Sequence, residues 1–247
     1  MDLSWMIGHA RTTFHHSTST VDLPLRSGKT IDLATLCEEV TPPCKLNPFL
    51  FNGHLQTAWT AVKDAGPPIS YKRKIFSAED PRFAGTFAVD FVVSAAPEEP
   101  NDALPPRTTL YTDDEWAGIA SEDSRPMLIT LHGLSGGSHE VYLRHVLAPL
   151  VAEATGKAVN EDGSIAGKGW EALVVNSRGC AMSEITTGIL YNARSTWDIR
   201  QVVKWCRKTF PNRPLFGIGY SLGANIITNV CPQSEESCAL HSWAADC

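Results

Sequence analysis

Two short segments of this 247-residue sequence hold residue types that could attack and stabilise a carbonyl group. The first is Gly219-Tyr220-Ser221-Leu222-Gly223, a G-x-S-x-G pattern. A serine becomes a useful nucleophile when a sharp strand-to-helix turn lifts its hydroxyl above a sheet. The flanks suit that turn. Pro214 to Ile218 is a short apolar run that reads as a buried strand, and Ala224 to Val230 reads as a helix. Gly219 and Gly223 leave room for the turn, and Ser221 is the candidate catalytic residue.

The second segment is His132-Gly133-Leu134-Ser135-Gly136-Gly137-Ser138-His139. Acyl transfer needs N–H donors aimed at the oxyanion of a tetrahedral intermediate. One comes from the residue after the nucleophile, here Leu222, and the other from the loop after the third strand. Leu134 is the candidate for that second backbone donor, with His132, Gly133, Gly136 and Gly137 as its supporting loop. A glycine-rich turn without a chemical role is the plain alternative. Neither G-x-G-x-x-G nor G-x-x-x-x-G-K-[ST] fits the segment, which argues against a phosphate loop.

A nucleophilic serine also needs an acid and a base, which in this arrangement follow it in the order Asp or Glu, then His. The stretch after Ser221 contains only Glu235, Glu236, His241 and Asp246, and there His241 precedes Asp246. The expectation is that this chain contains neither the Asp nor the His of a triad. Other suggestive patterns fail on inspection. Leu23 replaces the first glycine of a phosphate loop ending at Thr30, and Leu143 replaces the second histidine of a zinc motif starting at His139. His15-His16 reads as a solvated pair, so no metal site is expected.

Strands alternate with helices from Met127 onward, which implies βαβ units and a parallel sheet. Expected strands are Met127–Leu131 and Trp170–Asn176, with a helix over His139–Thr155 presenting Val141, His145 and Ala148 and kinked by Pro149. Ser195-Thr196-Trp197-Asp198 resembles a capping box for a helix whose apolar stripe is Ile199, Val202, Val203 and Cys206. Upstream, Tyr71–Phe76 and Thr86–Val93 read as strands, the second half-buried and antiparallel by its alternation. Thr30–Val40 reads as a short helix, Asn52-Gly53 as a turn, Ala95–Arg125 as a loop insertion and Ala239–Ala245 as a last strand.

The composition is 43% hydrophobic and 19% charged, and the net charge is −6. That balance gives no footprint for nucleic acid or an anionic membrane. No apolar run approaches the ~18 residues of a membrane-spanning helix. The N-terminus lacks the basic and apolar regions of a secretory signal. Seven scattered cysteines without a C-x-x-C fit reduced thiols in a cytoplasmic compartment.

Five blocks together carry a family likeness: N-P-F-L-F-N-G-H-L-Q-T (Asn47–Thr57), H-G-L-S-G-G-S-H-E (His132–Glu140), N-S-R-G-C (Asn176–Cys180), L-Y-N-A (Leu190–Ala193) and G-Y-S-L-G-A-N (Gly219–Asn225). In this order they resemble the AB-hydrolase-4 group of α/β-hydrolases, which includes bacterial YheT-type hydrolases, animal ABHD-type lipases and yeast medium-chain ethyl-ester synthases/esterases. The resemblance implies an α/β-hydrolase fold, a mostly parallel central sheet with helices on both faces, whose C-terminal strands and lid are missing here. It places an N-terminal extension at 1–45 and a partial hydrolase domain at 46–247. It implies Ser221 as nucleophile, short- to medium-chain acyl esters or related lipids as substrates, and no cofactor. Contact with the endoplasmic reticulum or lipid droplets stays open. A non-catalytic binding protein that keeps the front half of the fold is the competing reading.

Overall fold

The computed structural model describes residues 9–10, 12–42, 44–45, 47–62, 66–94, 101–151, 169–230 and 242–246. The chain divides into two compact units, Met1–Asp64 and Ala65–Cys247.

The first unit contains β1 (His9–Ala10), β2 (Asp22–Pro24), β3 (Thr30–Asp32), α1 (Leu33–Val40), β4 (Cys44–Lys45) and α2 (Gly53–Val62). β1 pairs with β4 and β2 with β3, both antiparallel. Thr30–Asp32 pairs with β2, so α1 starts later than expected, capped by the Asp32 carboxylate accepting from the Thr35 N–H at 3.0 Å. Asn52-Gly53 is not a free turn. Asn52 Oδ1 accepts from the Leu55 N–H at 2.9 Å and opens α2.

The second unit runs β5 (Ser70–Ser77), β6 (Thr86–Val93), β7 (Thr108–Leu110), α3 (Asp113–Ala117), β8 (Met127–Leu131), α4 (Val141–Val151), β9 (Glu171–Val175), α5 (Trp197–Thr209), β10 (Leu215–Tyr220), α6 (Leu222–Thr228) and β11 (Ser242–Asp246). The sheet order is β11-β10-β8-β9-β6-β5-β7. β11, β10, β8 and β9 are parallel, β6 is antiparallel to both its neighbours, and β7 is parallel to β5. This is the mostly parallel sheet that the alternation of strands and helices implied, and the α/β-hydrolase sheet that the family resemblance implied. The carboxyl ends of β8, β9 and β10 share one edge, where ligands bind in sheets of this kind.

Alternation along the strands sorts the core onto two faces. Ile129, Leu131, Leu173 and Val175 pack with α5 and α6 on one face. Leu128, Ala172 and Val174 pack with α4 on the other. The α5 stripe is Ile199, Val202, Val203 and Cys206, all buried, as the periodicity implied. In α4 the buried residues are Leu143 and Leu147, not the face of Val141, His145 and Ala148. β6 is also buried on both faces rather than one: Phe87, Val89 and Phe91 join a core cluster on one side, and on the other Ala88 and Asp90 are buried, with Ser138 and Asn176 bonded to Asp90.

Ala95–Arg125 is more than a loop insertion. Within its described part, β7 extends the sheet and Thr112 with Glu115 forms a full capping box for α3. α3 then lays Trp116 flat on Trp205 of α5, ring centroids 5.0 Å apart, and edge-on to Phe76 and Phe91. The capping box expected at Ser195 does not form. The N-cap is Thr196, without a side-chain cap bond, because Asp198 is drawn to Arg178 instead.

The α4 assignment is testable by urea denaturation. Leu147→Ala should cost about 2–5 kcal/mol, as a buried leucine does. His145→Ala, on the exposed side, should stay within about 0.5 kcal/mol.

Candidate active site

β10 runs into Ser221 and α6 begins at the next residue, so Ser221 sits on the turn itself. Its φ of 51° and ψ of −115° lie outside the regions a side-chain-bearing residue favours. Such a conformation costs on the order of 1–3 kcal/mol and persists only where its surroundings enforce it. Here the Ser221 carbonyl accepts from the Ala224 and Asn225 N–H groups at 3.0 and 3.2 Å, which winds α6 directly off the serine. The turn is tight enough to demand its two glycines. A Cβ on Gly219 would lie 2.3 Å from the Gly223 carbonyl oxygen, and one on Gly223 would lie 2.5 Å from the His132 carbonyl oxygen. The second distance also shows that the elbow presses against the loop after β8. The Ser221 side chain is exposed and makes no cap bond to α6.

That loop turns over Gly133–Gly136, closed by the Gly136 N–H on the Gly133 carbonyl at 3.1 Å. Its third residue, Ser135, takes φ 58°. A Cβ on Gly133 would stand 3.6 Å from the Ser221 Cβ, so the turn borders the nucleophile. One on Gly137 would collide with the Ala181 Cβ at 2.6 Å, where the loop meets the segment after β9. Leu134 and Leu222 line one cleft of about 640 Å³ with Cys180, Ile185, Leu190 and Tyr191. As the first residue of α6, Leu222 has an N–H that intrahelical bonding leaves free. The structure therefore gathers Ser221, Leu134 and Leu222 at one place.

His132 is buried beneath this turn. Its Nε2 accepts from the Ser177 N–H at 3.0 Å, and its Nδ1 faces the Gly133 carbonyl at 2.6 Å. An accepting Nε2 fixes the neutral tautomer with the proton on Nδ1. Burial lowers its pKa below the ordinary histidine value, against a smaller opposing pull from the Gly133 carbonyl. Both nitrogens are committed to backbone, so His132 joins the loops after β8 and β9 rather than serving Ser221.

Under both loops lies a polar cluster that sequence reading missed. Asp90 of β6 is fully buried. It accepts from Arg73 Nε (2.6 Å) and Nη2 (2.8 Å), from Ser138 Oγ (2.5 Å) and from Asn176 Nδ2 (2.8 Å). Asn176 Oδ1 in turn accepts from the Ser138 N–H at 3.0 Å, and Arg73 Nη1 donates to the Ala181 carbonyl at 2.8 Å. One carboxylate thus ties β5, β6 and the loops after β8 and β9 together.

Arg178 plays a similar part for the segment that walls the cleft. It forms a two-point pair with Asp198 at 2.9 and 2.7 Å and donates to the carbonyls of Phe83, Ala84 and Ile189. Burial raises the Asp198 pKa above the usual carboxylate value, with Arg178 pulling the other way. The N-S-R-G-C block signalled this region, but only as a family likeness. The partners of Asn176 and Arg178 lie far away in sequence.

Glu235, Glu236 and His241 lie outside the described residues, as does the side chain of Asp246 in β11. Among the described residues no group of histidine, cysteine and carboxylate side chains could hold a metal ion. No helix among them is long and apolar enough to cross a membrane.

A family model of the alpha/beta hydrolase fold matches residues 126–239. Over 197 residues the chain is 39% identical to a monoacylglycerol lipase of Saccharomyces cerevisiae, covering 73% of this chain and 40% of that protein. It is 29% identical over 230 residues to the medium-chain fatty acid ethyl ester synthase/esterase 2 of the same yeast, covering 82% and 47%. It is 30% identical over 225 residues to the embryogenesis-associated protein EMB8 of Picea glauca, covering 91% and 42%. The chain spans less than half the length of each of these relatives.

Two measurements check this arrangement. Arg73→Met strands the Asp90 charge in the core and should cost about 3–5 kcal/mol in denaturant unfolding. The His132 prediction concerns pH. Its folded pKa lies below the unfolded value of about 6.5. The stability it contributes is therefore complete above that pH and is lost as pH falls through the folded pKa. His132→Gln, which keeps an acceptor for Ser177, should flatten the fall in Tm between pH 7 and 5.

Proposed function

The chain belongs to the AB-hydrolase group of the α/β-hydrolases, and on that premise we propose that it carries the nucleophile and oxyanion hole of a serine carboxylic ester hydrolase or acyltransferase. The observation that carries this reading is the placement of Ser221, in its strained turn, beside the cleft lined by Leu134 and Leu222. The Ser221 hydroxyl adds to the ester carbonyl carbon. The carbonyl oxygen takes up negative charge facing the N–H groups of Leu134 and Leu222. Collapse breaks the bond to the ester's alkoxy oxygen, which takes up the proton given up by the serine hydroxyl, relayed through solvent, and leaves as the alcohol. The resulting acyl-enzyme is then cleaved by water or a second alcohol.

The cleft suits an acyl group. Leu134, Ile185, Leu190 and Leu222 make its walls largely apolar, and its size fits a short to medium chain. Its lining includes exposed apolar side chains, Leu134 at 70%, Ile185 at 58% and Leu190 at 50%. They support substrates drawn from lipid and peripheral contact with a lipid surface. The names of the relatives, a monoacylglycerol lipase and a fatty acid ethyl ester synthase/esterase, favour the same substrate class.

Among the described residues no histidine is hydrogen-bonded to Ser221. We therefore read the 247-residue chain as slow or inactive in turnover. An oxyanion hole and binding alone leave a residual acceleration of roughly 10³–10⁴ over water.

A fluorophosphonate probe should label the purified chain slowly, at Ser221 and at no other serine, by peptide mass spectrometry. Ser221→Ala should remove the adduct while the thermal melt stays cooperative. An adduct that persists in the variant, or sits elsewhere, would overturn the assignment.

A further inference from the structure

We propose that the hydroxyls of Tyr142 and Tyr191 are paired pins that hold the turn after β8 so that the Leu134 N–H faces the oxyanion. This makes both tyrosines positioning residues, and it rests on the reading of Ser221 just given.

Three successive N–H groups in this turn meet different fates. The Gly133 N–H donates to Tyr142 Oη at 2.9 Å, and the Ser135 N–H donates to Tyr191 Oη at 3.2 Å. Between them, the Leu134 N–H has no acceptor among the described residues. The pattern is held, free, held, and the free donor belongs to Leu134, which lines the cleft with Leu222.

Peptide planarity makes the direction of that free donor a consequence of its neighbours. The Leu134 N–H shares a rigid trans plane with the Gly133 carbonyl and points the opposite way. The Gly133 carbonyl is held by the Gly136 N–H at 3.1 Å and faces His132 Nδ1 at 2.6 Å. The planes on either side are the ones the two phenols grip. The plane between Leu134 and Ser135 needs that grip most. Ser135 is a non-glycine residue at φ 58° in the third position of the turn, as a type II turn requires. Turning that plane over would let Ser135 relax to negative φ, as in a type I turn. The Tyr191 bond, made by the Ser135 N–H in this same plane, opposes the flip.

Each phenol is also anchored to another part of the site. The Tyr142 ring packs at 4.9 Å between centroids against Tyr220, the residue before the nucleophile, and so couples the turn to the elbow. Tyr191 lines the cleft together with Cys180, so its ring is part of the cleft wall. Burial raises both phenol pKa values above the ordinary tyrosine value, so both hydroxyls stay intact through neutral pH.

Tyr→Phe at either position removes the hydroxyl and keeps the ring. In the 247-residue chain, amide hydrogen exchange should quicken at least tenfold at Gly133 in Tyr142→Phe and at Ser135 in Tyr191→Phe, with α5 amides unchanged. The double variant should label with fluorophosphonate about tenfold more slowly at Ser221, short of the 10²–10³ that deleting a donor costs. Unchanged exchange at both amides overturns the pins. Faster exchange with labelling within twofold of the parent overturns their part in the oxyanion hole. A parent chain that never labels at Ser221 refutes the function proposed above, and exchange then still decides whether the phenols hold the turn.

Discussion

The geometry at Ser221 depends first on a carboxylate well removed from it in the chain. Asp90 is fully buried, and an ionised carboxylate without partners in a protein interior carries a penalty of several kcal/mol. Four donor atoms offset it, two from Arg73 and one each from Ser138 and Asn176. Ser138 lies just past the turn that presents Leu134, in the same loop after β8, and Asn176 begins the segment that walls the cleft. The charge therefore cannot be satisfied unless both loops lie where the site needs them. A well-packed apolar substitute would offer comparable stability without imposing that geometry.

The sheet was legible because its strands obey local rules. Met127–Leu131, Trp170–Asn176 and the run before Ser221 are short apolar stretches between turn residues, and all three became parallel strands. The α5 stripe followed from period alone. Where the reading failed, a tertiary partner had outbid a local one. Asp198 could have capped α5, but Arg178 offers a buried two-point ion pair, and the cap is left to Thr196. The true capping box, Thr112-Asp113-Asp114-Glu115, obeys the local rule, but its acidic and proline-rich neighbours give the segment the composition of a solvated loop. On α4, Pro149 and the mixed polarity of the helix hid which side Leu143 and Leu147 bury.

The site divides in the same way. Ser221, Leu222 and the glycines around them form a contiguous pattern whose backbone consequences are local, so type and spacing suffice. Arg73 and Asp90 look like surface residues, Arg73 flanked by lysines in K-R-K and Asp90 set in an alternating strand. Only the register of β5 on β6, which pairs Arg73 directly with Asp90, turns them into a buried pair. Tyr142 is silent for the same reason, and Tyr191 is marked only as a member of the L-Y-N-A block, without its bond. A phenol that binds a backbone N–H leaves no periodicity in the sequence.

Strain shows what this scaffold supports. The described residues other than glycine with positive φ are Arg107, Ser135, Ala181, Met182 and Ser221. All but Arg107 belong to the elbow, the turn after β8 or the segment after β9. At about 1–3 kcal/mol each, they would consume a large part of a net stability of roughly 5–15 kcal/mol. Three of these strained residues meet fixed bonds at the site. The Ser221 carbonyl winds α6, the Ser135 N–H meets Tyr191, and the Ala181 carbonyl receives Arg73. Arg73 therefore does two things with one guanidinium, neutralising Asp90 and holding a strained loop. The stability of the buried pair and the shape of the cleft are consequently not separable properties of this protein, and a substitution that relaxes one disturbs the other.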